Sequence, residues 1–465
     1  MRRLLGAEMA GGGRALAIIV AASFLLKAAL VWMVTSMPCT HDQCHYLDLA
    51  DGILAGRGLQ VHDGYLWPPG FFYLLAACRW LFGASLTPPR LLQVLASTLT
   101  VPFVYLLARR LHDHRAGLAA AAVFAFYPNL VAFTHLFWPA TFYIFCFVIG
   151  FTTLLRPRPA SPRDAALAGV WFGMAALFKG MALYFTPLAA AWLLWRGGGA
   201  KLPAPSFRRA DPRTRRARLL AAAILLAGAL APILPWTMRN AVVYHRFLLL
   251  DATAGRNLYI GNNVLPPSNW DLGLNERRRI HYGRPRCSDA NVVDANRCEI
   301  HNALEFMARH PGMTLSRVPL KIADLLNPTS FLIRHVRLQK YPHVFSLWQA
   351  QMVTVLAALP WMVVAALGLA GLILLPAGPG CRLVALLLLY QLALHAATFG
   401  LSRFRLPMVP WLIAMAAPFL TRGWRALPER PPAWRIMAVA LGIGVLLHLW
   451  ASRWGTILDI FRPAA

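Results

Sequence analysis

The sequence predicts an all-α polytopic membrane protein of about 11 transmembrane helices, with two large extracytoplasmic loops that carry interfacial helices. Three observations predict this class. The chain is 58% hydrophobic and 14% charged, with a mean hydropathy of +0.52, whereas soluble domains carry about a quarter charged residues. Apolar runs of spanning length recur along the whole chain. Basic clusters fall between those runs on alternate sides, as the positive-inside rule requires of cytoplasmic loops.

The apolar runs place helices at 15–35, 89–109, 116–134, 137–155, 166–182, 183–196, 218–237, 348–375, 382–400, 406–421 and 434–452. The run Ala15 to Thr35 is too long for a signal-peptide core and no small-residue cleavage pattern follows, so it reads as a first span. The fifth and sixth helices are short and meet at Lys179-Gly180. With the N-terminus cytoplasmic, the inner loops hold Arg2, Arg3 and Arg14; Arg109, Arg110 and Arg115; Arg156, Arg158 and Arg163; Arg196 to Arg218; Arg382; and Arg422 to Arg435. Two long segments then lie outside, Ser36 to Pro88 and Met238 to Ser346. Arginines in the second do not oppose this, because long loops translocate regardless of charge. Lys201 to Arg218, with Pro203, Pro205 and Pro212, reads as a flexible basic cytoplasmic linker. The chain divides into an N-terminal membrane module (1–237), an extracytoplasmic loop region (238–347) and a C-terminal membrane module (348–465).

The net charge of +28 does not indicate a nucleic-acid partner. Such proteins gather their basic residues on one soluble face, and here they punctuate apolar runs. No internal repeat is visible, which counts against a secondary transporter. Cys39 and Cys44 lie in the first outer loop, Cys287 and Cys298 in the second. Each pair is close enough to bridge in an oxidising compartment, but spacing alone does not supply the geometry a disulfide needs.

Chemistry concentrates in the first outer loop. From Tyr46, the positions Tyr46, Leu49, Ile53 and Leu54 recur at helical spacing, with Asp48 and Asp51 on another face. That pattern predicts a short amphipathic helix at the membrane surface. Asp42 falls just before it, where a carboxylate is either a general base for an acceptor hydroxyl or an N-cap. Further on, Pro68-Pro69-Gly70 between aromatics predicts a rigid turn re-entering the second helix region. Lys27 and Lys179 are costly in lipid. Lys179, in the outer half, can reach a phosphate, whereas Lys27 snorkels or pairs with an interior acceptor. His135, on the same side as Asp42, either orients substrate or packs at the interface. His395 and His448 read as satisfied core or interfacial residues.

The run Asp42 to Tyr46, Leu49-Ala50 and Pro68-Pro69-Gly70 resembles the first outer loop of the GT-C glycosyltransferases, within them the protein O-mannosyltransferase and aminoarabinose-transferase-like group of glycosyltransferase family 39. The likeness continues at Arg109-Arg110-Leu111, Ala116-Gly117-Leu118, Tyr127-Pro128, Pro235-Trp236-Thr237-Met238-Arg239-Asn240, Asn257 to Asn263, His310-Pro311 and Ser402-Arg403-Phe404-Arg405-Leu406-Pro407. The resemblance implies a GT-C-like fold and an inverting transfer of a sugar from a polyprenyl-phosphate donor to a protein, lipid or glycan acceptor on the outer face. It makes Asp42 the acid that deprotonates the acceptor. Arg403 and Arg405 match the family's basic motif for the lipid phosphate, with interfacial snorkelling as the plain alternative. Arg239 is a second cation candidate, and Tyr46, His135 and Lys179 complete the expected substrate-binding set.

Two positions depart from the family pattern. Gln43 stands where a second acid is common, and Trp138-Pro139-Ala140-Thr141 lacks the acid often found there. No set matches the metal-holding acid and histidines of the aminoarabinose enzymes, so no required metal or other cofactor is expected. The Ala/Arg/Gly/Pro bias implies a GC-rich bacterial genome, hence undecaprenyl phosphate as carrier and the plasma membrane as location. A lipid-linked-sugar flippase or a non-catalytic envelope assembly protein are the competing classes. The absence of mid-membrane acids in the predicted spans weighs against the flippase.

Overall fold

The computed structural model describes residues 13–40, 42–61, 64–156, 161–195, 212–263, 287, 291–427 and 431–452. Arg2, Arg3, Arg158, most of the predicted linker (201–211) and 264–286 of the second outer loop lie outside the described residues. The described chain is helical, without a β-sheet.

The first module holds α1 (Gly13–Met33), α2 (Asp42–Leu54), α3 (Gly70–Phe82), α4 (Thr87–Leu111), α5 (His114–Phe126), α6 (Pro128–Ala132), α7 (Ala140–Leu154), α8 (Pro162–Phe178), α9 (Met181–Trp195), α10 (Pro212–Leu230) and α11 (Leu234–Tyr244). The second outer loop contributes α12 (Ala254–Gly261), α13 (Val292–Arg309), α14 (Pro311–Leu326) and α15 (Phe331–Arg337). Then follow α16 (Leu347–Leu374), α17 (Pro379–Ala397), a tight turn Ser402–Met408, α18 (Val409–Arg422) and α19 (Ala433–Ala451). Six described segments are long and apolar enough to cross a membrane: α1, α4, α16, α17, Ser402–Ala426 around α18, and α19. A seventh is the pair α10 and α11, bent by 51°. The other predicted spans fall on shorter helices.

Three boundaries differ from the sequence reading, each for a local reason. The predicted helix 116–134 breaks at Tyr127, which is extended because a residue before proline is pushed out of the helical region. The predicted helix 218–237 breaks between Leu230 and Leu234, flanked by Pro232 and Pro235, and its second half continues to Tyr244. Pro68-Pro69-Gly70 opens a helix of its own, α3, since proline is tolerated in a first helical turn.

α7 and α18 are nearly sheathed in protein and form the centre, where the rings of Phe151 and Trp411 pack tilted at 4.3 Å and those of Phe147 and Phe172 at 5.0 Å. α1 is peripheral and buries one stripe, Leu16, Ser23, Lys27 and Val31. Lys27 lies inside that stripe and donates to Ser97 Oγ of α4 at 2.9 Å, so it pairs inward and does not snorkel. α8 and α10 approach through Gly169 and Gly173. A methyl on either would collide with the carbonyls of Leu225 or Ala229, the small-residue contact expected where lipid supplies no hydrophobic drive between helices.

Gly173→Val is therefore expected to force α8 off α10 and cost about 1–3 kcal/mol, read as a lower unfolding temperature in detergent. Substitution at Gly444, where nothing lies within contact of a new methyl, should leave it unchanged.

Candidate active site

The first outer loop is placed by Arg90, a buried residue in the first turn of α4. Its guanidinium donates to Val34 O (2.9 Å), Thr35 O (3.3 Å), Met37 O (2.6 Å) and His135 O (3.2 Å). These carbonyls follow the end of α1 and precede α7, so one cation joins three parts of the chain. Gln93, one turn on, donates to Thr134 O and Leu136 O at 3.2 and 2.8 Å. Gln43 completes the lacing. Its amide donates to Thr40 Oγ1 at 2.8 Å and accepts from Phe137 N at 3.1 Å. Cys39 and Cys44 are disulfide-bonded with Cα atoms 5.1 Å apart, closing a covalent ring around Asp42.

α2 begins at Asp42 itself, one turn earlier than its apolar spacing indicated. The carboxylate accepts no backbone N–H hydrogen bond among the described residues, so capping is not its role. Its side chain is 44% exposed and faces Arg403, with Oδ2 3.6 Å from Nη1.

Arg403 is held by faces and not by hydrogen bonds. Its guanidinium carbon lies 4.4 Å from the Trp138 ring centroid, 5.6 Å from Phe331 and 5.5 Å from Phe404, each a cation–π contact. Its Nε is buried without a hydrogen-bond partner. Beside it, Lys179 Nζ lies 5.3 Å from the Phe404 centroid, close enough for the two cations to repel. Lys179 emerges where α8 stops and α9 has not begun, at the predicted Lys179-Gly180 break. Phe404 stacks on His395 at 5.2 Å, so one ring supports both cations. Beneath Asp42, Tyr46 is buried in an aromatic box, edge-on to Trp67, Phe71, Phe72 and Trp138 at 5.5–5.8 Å. Burial and the nearby Asp42 carboxylate raise its phenol well above the usual range, so it is neutral and serves as the floor of the site.

The structure brings Asp42, Tyr46, Arg403 and Lys179 together and separates the rest. Arg403 and Arg405 do not act as a pair. In a turn of about three residues per repeat, positions i and i+2 point in different directions. Arg405 instead enters the core, donates to Thr329 O at 2.8 Å and lies 4.5 Å from the Trp361 centroid. Arg239 donates to Leu59 O at 3.1 Å and stacks on Trp236 at 4.6 Å. It belongs to a staple in which Trp236, Thr237 and Asn240 bond the carbonyls of 248–250. His135 contacts Tyr341 Oη at 3.0 Å. Burial, the Arg90 cation and His335 push its imidazole down to about 3, so it is neutral at physiological pH and packs there. The sequence reading missed Arg90 and the aromatic walls Trp138, Phe331 and Phe404. The signal for Arg90 was its charge directly after Pro88-Pro89, at the mouth of an apolar helix.

Cys287 and Cys298 are also bridged, with Cα atoms 6.0 Å apart. Among the described residues no cluster of three or more His, Cys, Asp or Glu side chains is arranged to hold a metal.

Residues 67–208 match the family described as dolichyl-phosphate-mannose-protein mannosyltransferase. The undecaprenyl phosphate-alpha-4-amino-4-deoxy-L-arabinose arabinosyl transferase of Pseudomonas aeruginosa (strain LESB58) is 28% identical over 212 residues, 42% of this chain and 35% of that protein. The transferase of the same name from Pseudomonas paraeruginosa (strain DSM 24068 / PA7) is 29% identical over 170 residues, 33% of this chain and 31% of that one. The chain thus matches about a third of the length of these relatives. The apo oligosaccharyltransferase of Archaeoglobus fulgidus superposes with a TM-score of 0.50 at 15% identity, over 94% of this chain and 55% of that one. The fold is shared with that oligosaccharyltransferase. The family match stops short of Asp42 on one side and Arg403 on the other, so the roles of these two residues rest on geometry.

Arg90→Met removes the guanidinium donors from four carbonyls; Val34 O keeps Met37 N, and the others cost about 1–3 kcal/mol for each left unpaired in the interior. The expected outcome is loss of monodisperse protein on size exclusion in detergent, where Arg239→Met retains it.

Proposed function

We propose that this chain moves a sugar from a polyprenyl-phosphate donor to an acceptor hydroxyl, with inversion, on the outer face of a bacterial plasma membrane, undecaprenyl phosphate being the carrier. One observation carries the reading: Arg403 makes no hydrogen bond among the described residues although its side chain is largely buried, and a half-exposed carboxylate stands 3.6 Å away. A guanidinium walled by three rings and lacking acceptors is built for an anion supplied from outside. Lys179 adds a second cation on the same aromatic support.

The donor's phosphate replaces Asp42 as the main counter-ion of Arg403, with Lys179 at its other edge. The sugar's anomeric carbon then lies between phosphate and carboxylate, and Asp42 is released to accept the acceptor's proton. The acceptor oxygen bonds the anomeric carbon as the carbon–oxygen bond to phosphate breaks. The electron pair leaves on the polyprenyl phosphate, whose added negative charge Arg403 and Lys179 stabilise. Attack opposite the leaving group inverts the centre. The names of the relatives, undecaprenyl-phosphate-sugar transferases, support this donor class, and the outward placement of Asp42 follows from the positive-inside assignment.

Asp42→Asn should lower transfer by about 10²–10⁴-fold, and Arg403→Ala by about 10²–10³-fold, with elution volume and unfolding temperature retained. These are measured with radiolabelled donor in membranes. Transfer undiminished in Asp42→Asn would sink the reading and favour a transporter or assembly role. Because protein cations face the phosphate, transfer is expected to persist in EDTA; loss that is restored by a divalent metal would contradict this assignment of the positive charge.

A further inference from the structure

A second arginine has an unused face. Arg256 of α12 donates from Nη1 to Glu299 Oε1 of α13 at 2.9 Å, with side chains 6% and 8% exposed. Its Nε and Nη2 are buried with no hydrogen-bond partner. These two N–H groups lie on the same edge of the guanidinium and form the fork that takes two oxygens of one carboxylate or phosphate. Two orphan donors on a buried cation are costly, and neighbouring cations do not show this pattern. Lys321 donates to Asn262 Oδ1, Ala396 O and Ala397 O at 3.0–3.2 Å, and Arg317 donates to Asn263 O at 2.6 Å.

Tyr65 connects this corner to the reaction site. Its ring centroid lies 5.9 Å from the Arg256 guanidinium carbon and stacks on Trp67 at 5.4 Å, a wall of the box around Tyr46. Burial raises the Tyr65 phenol, while the charge of Arg256 and its close polar approach to the phenol, with the charge of Arg403, oppose that shift, so Tyr65 stands against the Arg256 guanidinium within the field of both cations. It is only partly buried and covers the guanidinium as a movable side chain, not as backbone.

We infer that the Nε/Nη2 fork of Arg256 is a second anion subsite, which binds a carboxylate or phosphate carried by the acceptor or the transferred sugar once Tyr65 swings aside. Glu299 holds the guanidinium in plane through Nη1, and the fork is covered by the Tyr65 side chain alone among the described contacts. This deepens the sugar-transfer reading and rests on it for the anion's place in catalysis. The substrates then carry two anionic groups, the carrier phosphate at Arg403 and Lys179 and a further oxyanion at Arg256.

The full chain in detergent is titrated with inorganic phosphate, glucuronate and glucose, as wild type, Arg403→Ala and Arg403→Ala/Arg256→Lys. Lysine keeps the charge facing Glu299 but has no fork. The expected result is that Arg403→Ala still binds phosphate or glucuronate and not glucose, and that adding Arg256→Lys weakens binding at least tenfold. The tighter of the two anions identifies the source, a phosphorylated or a uronic-acid-bearing substrate. Glu299→Gln, which removes the competing carboxylate, should tighten binding several-fold and serves if Arg256→Lys folds poorly. Anion binding abolished by Arg403→Ala alone, unaffected by Arg256→Lys, or absent throughout overturns the subsite. The transfer reading is judged separately by Asp42→Asn.

Discussion

The position of the Asp42 carboxylate depends on the buried hydrogen bonds of Arg90. A chain leaving a membrane helix has carbonyls that lipid cannot satisfy, and α1 ends at Met33, beyond which lie those of Val34, Thr35 and Met37, the first also taking Met37 N. Arg90 collects all three and adds His135 O from the other side. The guanidinium's planar spread of donors allows this; a lysine point charge would not span four acceptors in two segments. With the loop fixed, the Cys39–Cys44 bridge and the Gln43 amide set the remaining freedom of α2, and Asp42 projects where the turn Ser402–Met408 delivers Arg403.

The distribution of interior cations separates structure from chemistry. Lys27, Arg90, Lys321 and Arg405 each donate to protein oxygens, and their removal should act on folding. Arg403 and Lys179 have aromatic faces and no hydrogen bond among the described residues. A cation kept in that state is desolvated without full compensation, a cost consistent with a ligand that arrives later. The electrostatics that matter at the site are therefore local, and the net charge of +28 says little about them, because most of the basic clusters lie in predicted cytoplasmic loops.

The membrane class and most helices were legible in the sequence, because apolar length and basic punctuation are one-dimensional signals. The breaks at Tyr127 and near Pro232 were legible in principle, since both sit at prolines, but apolar continuity concealed them. The site was half legible. Asp42 could be placed by its loop, but which cation faces it depends on the phase of a tight turn, and a two-residue spacing read as a pair when it places Arg403 and Arg405 on different sides. Arg239 matched a motif whose use here is a backbone staple. Trp138, Phe331 and Phe404 come from three distant segments and meet only through packing, which no local pattern encodes.

Gln43 has a physical account in this arrangement. A carboxylate there could accept from Phe137 N but could not donate to Thr40 Oγ1, whose own proton is directed at His335 Nε2, so the loop would lose one tie. It would also place a second negative charge next to Asp42, and like charges at that range raise the energy of the ionised base. The amide keeps both hydrogen bonds and leaves Asp42 as the single carboxylate paired with Arg403 among the described residues. A site with one acid and two poorly hydrogen-bonded cations is suited to a reaction in which one proton is taken up and one phosphate leaves. At the position where the sequence resemblance leads one to expect a second acid, this chain thus has a residue that holds the loop in place.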